Sequence, residues 1–418
     1  MREGRGERVV SFDEALETVL REAARARTPR LERVRLEAAV GRVLAVPITT
    51  DRDQPPFDRS TRDGFALRAE DVAGGTWLAV AGQVRAGTMW KGAVPADGAI
   101  EIMTGAPVPE DADAVVMLEH VERSGSGEMR AIRLAEGRTL TAGDNIVFRG
   151  SEAVAGDEVL PVGTEMDGAA IALAAACGAS TVEVFARPAV SILATGDELV
   201  DVDAVPGPTQ IRNSNSYGLA ALVTQAGGAP MRLPIAPDRG KELEELILQA
   251  RTADLMLLSG GVSVGEYDLV EEVLRELGAE FFFTGVKMQP GKPVVFGRVP
   301  ERDGMRGVYF FGLPGNPVST QVTFACFVEP LLKAMRGACS EGPRFAQATL
   351  ADAVPGKPDL TRVLPARLTP NLKDPKVKLV VWQGSGDMAS NARANCYAVL
   401  PPQVEQFQAG DVITVLLR

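Results

Sequence analysis

Histidine is almost absent from this 418-residue chain, which contains only His120. A Ser-His-Asp or Cys-His mechanism would depend on this one residue, and no motif surrounds it, so we expect His120 to be structural. The four cysteines are Cys177, Cys326, Cys339 and Cys396. They are far apart and form no C-x-x-C pair, which argues against structural zinc, a redox pair or a disulfide framework. We expect free thiols in a reducing compartment.

Long apolar runs and an excess of positive charge are also missing. No apolar run reaches the roughly 18–20 residues of a membrane-spanning helix, and the N-terminus lacks the apolar core of a signal peptide. The net charge is −11, so a surface that follows nucleic-acid phosphates is not expected. We expect a cytoplasmic protein with no membrane or nucleic-acid partner, in which an anionic ligand needs local Lys or Arg residues or a bound cation.

The stretch LMLLSGGVSVGEYD, residues 255–268, gives the clearest structural signal. Its four consecutive apolar residues indicate a strand buried on both faces, as in a parallel sheet between helices. A glycine-rich turn follows, and apolar residues at helical spacing over 269–277 predict a helix that Gly278 ends. Such a turn lets backbone N–H groups face an anion, which favours a phosphate-binding site. A tight turn that serves only packing is the alternative.

The N-terminal fifty residues are predicted to be mainly helical. Ser11 and Glu14 form a capping box before an apolar stripe, which predicts a helix over 12–26. A second helical segment is predicted over 31–40.

A β-rich region is predicted after these helices. Proline, glycine and charge break the helical pattern in DRDQPPFDRSTRDGFALRAED, which we interpret as an ordered loop with apolar anchors at Phe57, Phe65 and Leu67. Short alternating runs separated by Gly and Pro over about 75–165 predict an all-β insertion or small barrel. A helix over 166–178 follows.

Strands and helices then alternate, which is typical of a doubly wound α/β domain with a parallel sheet. The predicted strands are 190–194, 231–235, 255–258, 293–297 and 308–312, and the predicted helices are 216–226, 241–253, 269–277 and 317–336. A ligand site is expected at the carboxyl ends of the strands. Residues 343–418 return to short strands, which predicts a separate small β-barrel or sandwich.

Acidic residues follow three predicted strands of the α/β domain. Glu198 follows the strand at 190–194, Asp238 follows MRLPI, and Asp268 follows the strand at 255–258. Carboxylates that meet at one sheet edge would hold a hard cation through oxygen ligands, and Mg²⁺ is the natural choice. The ordinary alternative for such residues is a helix cap or a turn.

Two Pro/Gly turns supply possible anion contacts in the same domain. Lys287 and Lys292 lie in VKMQPGKP, where Pro290 and Gly291 predict a tight turn that presents Lys292. GLPGNPVS is a second such turn, and it enters a helix. The alternative for Lys292 is a solvated surface charge. The alternative for GLPGNPVS is a rigid strand-to-helix connection.

Two loops of the N-terminal half are not required by a β module. They are PPFDRSTRDGFALR, which contains Asp63, and MTGAPVP, which contains Thr104. Loops with such unusual composition usually form part of a functional site or a subunit contact.

Eight motifs, in one order along nearly the whole chain, resemble the molybdopterin molybdenumtransferases, the MoeA and gephyrin E-domain family. They are PPFDRSTRDGFALR, MTGAPVPEDADAVV, GDNIVFRGSE, ATGDEL, GGVSVGEYD, MQPGKP, GLPGNPVS and QGSGDMASNARAN. The expected fold is α/β plus β and multidomain. Its expected parts are a discontinuous helical and β linking domain (1–50 and 140–186), a β-rich module (51–139), a doubly wound α/β molybdopterin-binding domain (187–336) and a C-terminal β-barrel (343–418).

The resemblance implies a transferase of molybdenum cofactor biosynthesis. Such an enzyme takes adenylylated molybdopterin and molybdate, cleaves the adenylate, and releases molybdenum cofactor and AMP with Mg²⁺ as cofactor. It also implies a homodimer whose site lies between the α/β domain of one subunit and the N-terminal β module of the other. The upstream adenylyltransferase and recipient molybdoenzymes are the further partners that it suggests.

The resemblance also assigns site residues by position. The catalytic residues would be Asp63, Thr104, Glu198, Asp238 and Asp268, and the last three would be associated with the metal. The molybdate and molybdopterin residues would be Gly260, Gly261, Ser263, Lys287, Lys292, Pro293, Pro314, Pro317, Arg367 and Ser385. Molybdate is a tetrahedral dianion, which suits the charges of Lys292 and Arg367 and the hydroxyl of Ser385. Gln289 departs from the pattern, because many members carry a lysine there.

Two other functions compete with this reading. The upstream adenylyltransferase uses a similar α/β domain, but it is a single domain, whereas here about 180 residues precede the fold. A gephyrin-like scaffold that binds a receptor loop is the second. The chain contains nothing that resembles gephyrin's long linker and second enzyme domain, so scaffolding is at most an added role.

Overall fold

The computed structural model describes residues 8–26, 30–237, 239–260, 269–302, 304–338 and 342–418. The α-helices of these residues are α1 Phe12–Ala23, α2 Gly168–Ala176, α3 Ser214–Gln225, α4 Gly240–Ala250, α5 Leu269–Glu276, α6 Pro317–Thr323, α7 Glu329–Met335 and α8 Met388–Arg393. Short 3₁₀ turns are Leu36–Ala38, Ala69–Gly75, Leu118–His120 and Gly127–Met129.

Helix α1 forms where its capping box predicts it. The Ser11 hydroxyl accepts a hydrogen bond from the Glu14 N–H at 3.2 Å, and the Ser11 N–H donates to the Glu14 carboxylate at 2.8 Å. The second predicted helix, over 31–40, is wrong. Leu31–Arg35 is a strand that pairs antiparallel with Thr181–Phe185, so pairing with a distant segment overrides the local helical tendency.

A six-stranded sheet forms the N-terminal β-rich region, as predicted. Its strands, in spatial order, are Ala114–Met117, Gly64–Leu67, Gly98–Ile102, Leu78–Val84, Ala131–Leu134 and Val121–Ser124. The predicted loop is wrong in part, because Gly64–Leu67 is a central strand there, between two antiparallel partners. Phe65 and Leu67 are buried anchors as expected, but Phe57 is 38% exposed and anchors nothing.

A separate apolar core connects two segments that are distant in the chain. Leu44 and Ile48 pack in it with Met166, Ala170 and other residues of the region around α2. The domain boundaries given above remain a prediction.

Five short two-stranded pairs complete the strands of the described residues. They are Val9–Val10 with Gly285–Val286, Ile48–Thr49 with Glu158–Leu160, Arg59–Ser60 with Ile146–Val147, Leu199–Val200 with Ile211–Arg212, and Val354–Pro355 with Gln406–Phe407.

The central sheet of the α/β region has six strands. In spatial order they are Ala229–Arg232, Ala189–Ala194, Leu255–Ser259, Val308–Leu313, Val295–Val299 and Glu280–Phe283. The first four are parallel, as predicted, but Val295–Val299 pairs antiparallel with both of its neighbours, Val308–Leu313 and Glu280–Phe283. The fully parallel prediction was therefore wrong at one edge, where hairpin connections replace helical crossovers.

Both faces of this sheet are covered, which confirms the doubly wound arrangement. Leu255 and Leu257 pack in the cluster that contains α1, α3, α6 and α7, whereas Met256 and Leu258 pack against α4 and α5. All four residues are 0% exposed, which explains their unbroken apolar run. The single helix predicted over 317–336 is α6 and α7 joined by a π-helical turn, Phe324–Val328.

The C-terminal segment closes into a five-stranded barrel, as expected. Its strands are Phe345–Leu350, Lys376–Leu379, Thr361–Thr369, Cys396–Leu400 and Val412–Leu417, and Met288–Gln289 adds to its edge. The short α8 was not predicted. Cys177, Cys326 and Cys396 are buried free thiols as expected, and Cys339 lies outside the described residues. No helix of the described residues is long and apolar enough to span a membrane.

Candidate functional site

A cleft of about 910 Å³ lies at the carboxyl ends of three parallel strands. Its walls come from the residues that follow those strands, including Thr195, Gly260 and Pro314, together with residues 210–215. The barrel contributes Gly386 and Met388. The site is therefore at the sheet edge that the strand order predicts for a doubly wound fold.

Two helix N-termini meet at this cleft. Helix α3 begins at Ser214 after the capping residue Asn213, whose side-chain oxygen accepts from the Ser216 N–H at 3.2 Å. Helix α6 begins at Pro317, and its capping residue Asn316 makes no side-chain cap bond. Helix N-termini carry partial positive charge, so both favour an anionic ligand.

Glycine is required at position 260. Its φ is +90°, and an ideal Cβ there would lie 2.4 Å from the backbone oxygen of Thr195. A side chain would therefore collide with the end of the neighbouring strand. The turn brings bare backbone to the cleft, which is what close approach to a phosphate requires.

Asn215 connects three elements of the cleft wall. From the first turn of α3, its Nδ2 donates to Ser259 Oγ at 3.0 Å and to the Gly315 carbonyl at 2.7 Å. These bonds join α3 to the end of one strand and to the loop before α6. The neighbouring Thr195 is 2% exposed, and its Oγ1 has no hydrogen-bond partner in the described part of the chain. A buried hydroxyl of this kind is available to a ligand.

Only Glu198 and Arg212 are charged among the described residues that line the cleft. The Glu198 carboxylate lies over Gly196, since an ideal Cβ at Gly196 would be 2.4 Å from Glu198 Oε2. Across the described ranges, no three His, Cys, Asp or Glu side chains are placed to share a metal ion. Glu198 and the unpaired Thr195 hydroxyl are hard oxygen donors, so they fit a partial Mg²⁺ site.

Three family profiles match successive parts of the chain. They are the MoeA N-terminal region (domain I and II) over residues 10–178, a probable molybdopterin binding domain over 191–334, and the MoeA C-terminal region (domain IV) over 347–417. Together they cover most of the sequence. The chain belongs to the MoeA family.

Curated MoeA relatives are similar over most of their length. A molybdopterin molybdenumtransferase of Nostoc is 38% identical over 312 residues, which are 73% of this chain and 70% of that protein. One from Staphylococcus aureus is 33% identical over 394 residues, 92% of this chain and 90% of the relative. The matches extend well beyond the molybdopterin-binding domain, so they do not favour the single-domain adenylyltransferase alternative.

Solved MoeA structures have the same architecture. A crystal structure of the molybdopterin biosynthesis MoeA protein from Pyrococcus horikoshii has a TM-score of 0.80 and 30% identity, and the match covers 98% of this chain and 100% of that one. A second structure from this organism has a TM-score of 0.72 and 31% identity, with 98% and 99% coverage. The multidomain MoeA fold expected from the motifs is therefore confirmed.

The cleft gathers five of the residues that the MoeA motifs pointed to. They are Glu198, Gly260, Pro293, Pro314 and Pro317. Two more lie beside its lining. Lys292 is adjacent to Pro293, and the Ser385 carbonyl accepts from the Val318 N–H at 3.0 Å, at the start of α6.

Other predicted residues are not part of the cleft lining. Lys287 is exposed, and its charge contributes to the lowered pKa of Glu14 after larger effects of hydrogen bonds with Ser11. Arg367 donates to the Arg393 carbonyl at 3.4 Å, on the barrel. Gln289 is paired in register with Arg362, and its Oε1 is buried without a hydrogen-bond partner in the described residues.

Asp63 and Thr104 lie together in the N-terminal β region. One oxygen of Asp63 accepts from the Thr104 N–H at 2.7 Å and from its hydroxyl at 2.9 Å. Neither residue lines the cleft of the same chain. Asp238, Gly261, Ser263 and Asp268 lie outside the described residues, so their predicted roles remain predictions.

Sequence reasoning missed Asn215 and Arg212. Both lie in IRNSNS, where Arg212 ends the short strand Ile211–Arg212 and Asn215 is in the first turn of α3. The signal was available, because an Asn-rich segment before an apolar helix marks a capping region that often faces a ligand.

Proposed function

We propose that this MoeA-family chain inserts molybdenum from molybdate into adenylylated molybdopterin in the cytoplasm, releasing molybdenum cofactor and AMP. The observation that carries the proposal is the cleft, in which two helix N-termini and the bare backbone of Gly260 converge at one sheet edge. This arrangement suits a phosphoanhydride, and the relatives that match most of the chain are named for molybdenum transfer to molybdopterin.

The chain's own residues would bind and orient the adenylylated substrate. N–H groups at the start of α3 would contact phosphate oxygens, the positive end of the α6 dipole would attract them, and Arg212 would add a positive charge in a chain whose net charge is −11. Asn215 would hold the three wall elements at a fixed separation. Orientation of the two reactants supplies much of the rate in a reaction that needs no covalent nucleophile.

Glu198 would hold Mg²⁺ together with Asp238 and Asp268. When bound, this ion would neutralise charge on the phosphoanhydride and so favour its cleavage. Glu198 is the member of this set that lines the cleft, and Thr195, whose hydroxyl has no partner in the described residues, lines the same cleft. We expect Glu198→Gln to weaken Mg²⁺ binding at least tenfold in calorimetric titration. Equal Mg²⁺ affinity in this variant would remove Glu198 from the site.

Molybdate would be held by Lys292, Arg367 and Ser385. Lys292 and Ser385 are neighbours of the cleft lining, and the Arg367 guanidinium is on the adjoining barrel surface. A dianion needs such charge and directed donors.

We also propose that the working unit is a homodimer. Asp63 and Thr104 form a coupled pair on an exposed surface and do not line the cleft of their own chain, which fits their use at a partner's site. A C₂ arrangement would complete both sites at once.

The central test is release of AMP from adenylylated molybdopterin. Purified protein with Mg²⁺ and molybdate should convert this substrate to AMP and molybdenum cofactor, as measured by chromatography and by reconstitution of a molybdoenzyme. Reactions without molybdate and with Glu198→Gln are the controls. Persistence of the substrate under full conditions would count against the function.

Sharing of the site between subunits has its own test. Asp63→Asn and Glu198→Gln chains should each be inactive, but mixed dimers contain one intact site when the residues come from different subunits. Unfolding and refolding an equal mixture should therefore restore about a quarter of wild-type turnover. No recovery in a mixture that light scattering shows to be dimeric would mean that both residues act within one chain.

A further inference from the structure

A second cavity lies at the opposite edge of the central sheet. It has a volume of about 250 Å³ and is bordered by residues that come just before three parallel strands, including Pro188, Asp254 and Gly307. The cleft described above is at the carboxyl ends of the same strands. The two sites are thus separated by the length of the sheet.

Arginine dominates this amino-end cavity. The arginines that line it are Arg25, Arg30, Arg187, Arg298 and Arg306. Asp254 is the only carboxylate among the described lining residues. Five guanidinium groups around one small cavity are unexpected in a chain whose net charge is −11.

Two of these arginines have acidic partners. Arg25 Nη1 lies 3.0 Å from the carboxylate of the buried Glu22, and Arg306 Nη1 lies 3.4 Å from that of Asp254. The Asp254 carboxylate is further occupied by the Ala189 N–H at 2.8 Å. These acids therefore have little capacity for the other three cations.

Arg30, Arg187 and Arg298 form no ion pair within the described ranges of the chain. The backbone holds two of them together, because the Ala186 N–H donates to the Arg30 carbonyl at 2.6 Å and Arg187 follows directly. Arg298 is fixed over the ring of Tyr309, with its Cζ 5.6 Å from the ring centroid. Like charges around one small cavity repel each other unless an anion lies between them.

The floor of the cavity is rigid and mostly apolar. Tyr309 and Met335 are 8% and 9% exposed, and the Tyr309 hydroxyl donates to the Glu22 carboxylate at 3.3 Å. The arginines of the rim are exposed, so the cavity places directed cationic donors over a packed floor. Arginine is the side chain that matches phosphate oxygens in two-pronged hydrogen bonds.

We infer that this cavity is a binding site for a small phosphate-bearing anion, separate from the molybdenum-transfer cleft. Its volume is slightly below the range of about 300–1,000 Å³ that is usual for pockets of drug-sized ligands. An inorganic diphosphate or a small phosphorylated metabolite fits that size. The three positive charges of Arg30, Arg187 and Arg298 favour an anionic ligand. The packed floor of the cavity limits the size of the ligand that can bind.

The test is calorimetric titration of inorganic pyrophosphate into the full chain in buffer with EDTA, which removes metal-dependent binding in the cleft. Wild-type protein should bind, and the Arg187→Gln/Arg298→Gln double variant should bind about a hundredfold more weakly, since two charge-assisted hydrogen bonds are lost. Arg275→Gln is a matched control on the surface of α5. Arg212→Gln is the matched control in the cleft. Both should bind within twofold of wild type.

Thermal melting separates this reading from a purely structural role of the arginines. Without an anion, the double variant should melt at the wild-type temperature or higher, because it removes like charges. Pyrophosphate should raise the melting temperature of the wild type but not of the double variant. If the double variant does not fold, the single variant Arg30→Gln replaces it in the titration. We expect it to bind pyrophosphate about tenfold more weakly than the wild type.

Three results would overturn the inference, and the third concerns sulfate. One is absence of pyrophosphate binding by the wild type. Another is binding that Arg212→Gln weakens and Arg187→Gln/Arg298→Gln leaves intact, since pyrophosphate would then occupy the cleft. Titrations with sulfate and with a phosphomonoester such as glycerol phosphate distinguish any tetrahedral oxyanion from a phosphate ligand, and equal affinity for sulfate would also contradict it.

Discussion

Thr104 holds the carboxylate of Asp63 with two hydrogen bonds to the same oxygen. The Thr104 N–H donates at 2.7 Å and its hydroxyl at 2.9 Å. Both bonds favour the charged carboxylate, so the pKa of Asp63 is lowered from its ordinary value of 3.8, first by the backbone bond and then by the hydroxyl. The pair therefore presents a fixed anion on an exposed loop.

Replacement of the hydroxyl tests this coupling. Thr104→Val keeps the shape and the backbone N–H but removes one donor, so the pKa of Asp63 should rise towards 3.8 without reaching it. The ionised Asp63 contributes stability above its unfolded-state pKa, and that contribution is lost as the pH falls through the lower folded-state pKa. The variant should lose it at a higher pH. Carboxyl ¹³C NMR of labelled aspartate measures the pKa, and an unchanged value would contradict the coupling.

Thr88→Val is a suitable control for that titration. The Thr88 hydroxyl is likewise exposed and hydrogen-bonded, but to Arg85 in a turn. Its loss should leave the pKa of Asp63 unchanged.

Local patterns predicted the α/β region well and failed where distant pairing decides. The capping box at Ser11 and the apolar run at 255–258 gave correct elements because capping bonds and two-faced burial leave direct traces in sequence. Leu31–Arg35 was mistaken for a helix because its partner, Thr181–Phe185, is about 150 residues away. The strand Glu280–Phe283 was also missed, although its antiparallel partner, Val295–Val299, is near in sequence.

The residues of the candidate site were likewise predicted only where a sequence motif marks them. Motif order was enough to select Glu198, Gly260 and Pro317, which the sheet then brings to one cleft. The role of Asn215 depends on its two acceptors, Ser259 at the end of a strand and Gly315 in the loop before α6. Local sequence patterns cannot predict these hydrogen bonds, because the partners come together only when the sheet has formed.

Asn215 is expected to act as a positioning residue. Asn215→Ala removes both hydrogen bonds across the cleft wall and should lower kcat for AMP release about tenfold, with a loss of roughly 1–2 kcal/mol in the free energy of unfolding. Asn215→Asp keeps the shape but cannot donate and adds a negative charge, so it should also raise KM for the adenylylated substrate. Steady-state kinetics and chemical unfolding measure these effects.

The matched control for Asn215 is Asn371→Ala on the barrel. The Asn371 side chain accepts only from the nearby Lys373 N–H and is exposed. It should change neither kcat nor KM. Asn215 would lose its assigned role if its alanine variant kept wild-type kcat while stability fell.

Phe327 anchors α1 to the α/β core. Its side chain is 0% exposed, and its ring centroid lies 5.6 Å from that of Phe12 and 6.1 Å from that of Phe283. Phe327→Ala should lower the free energy of unfolding by about 3–5 kcal/mol, through lost burial and the cavity left behind. Phe57→Ala, at 38% exposure, should change it by no more than about 0.5 kcal/mol. Calorimetric unfolding of both variants tests the contrast, and equal destabilisation would contradict this packing.

Both the fold and the proposed chemistry require glycine at position 260. With φ at +90° and Thr195 O 2.4 Å from an ideal Cβ, Gly260→Ala must displace the turn or the adjoining strand end. We expect a loss of about 1–3 kcal/mol in stability from backbone strain, and a fall in AMP release larger than that loss explains, because a side chain at Gly260 would hinder close approach of a phosphate to the backbone. Gly168→Ala, at the start of α2 with no atom within 4 Å of its Cβ, should melt at or above the wild-type temperature and keep full turnover. Melting curves and AMP assays on both variants decide the point, and wild-type behaviour of Gly260→Ala would show that the turn has room for a side chain.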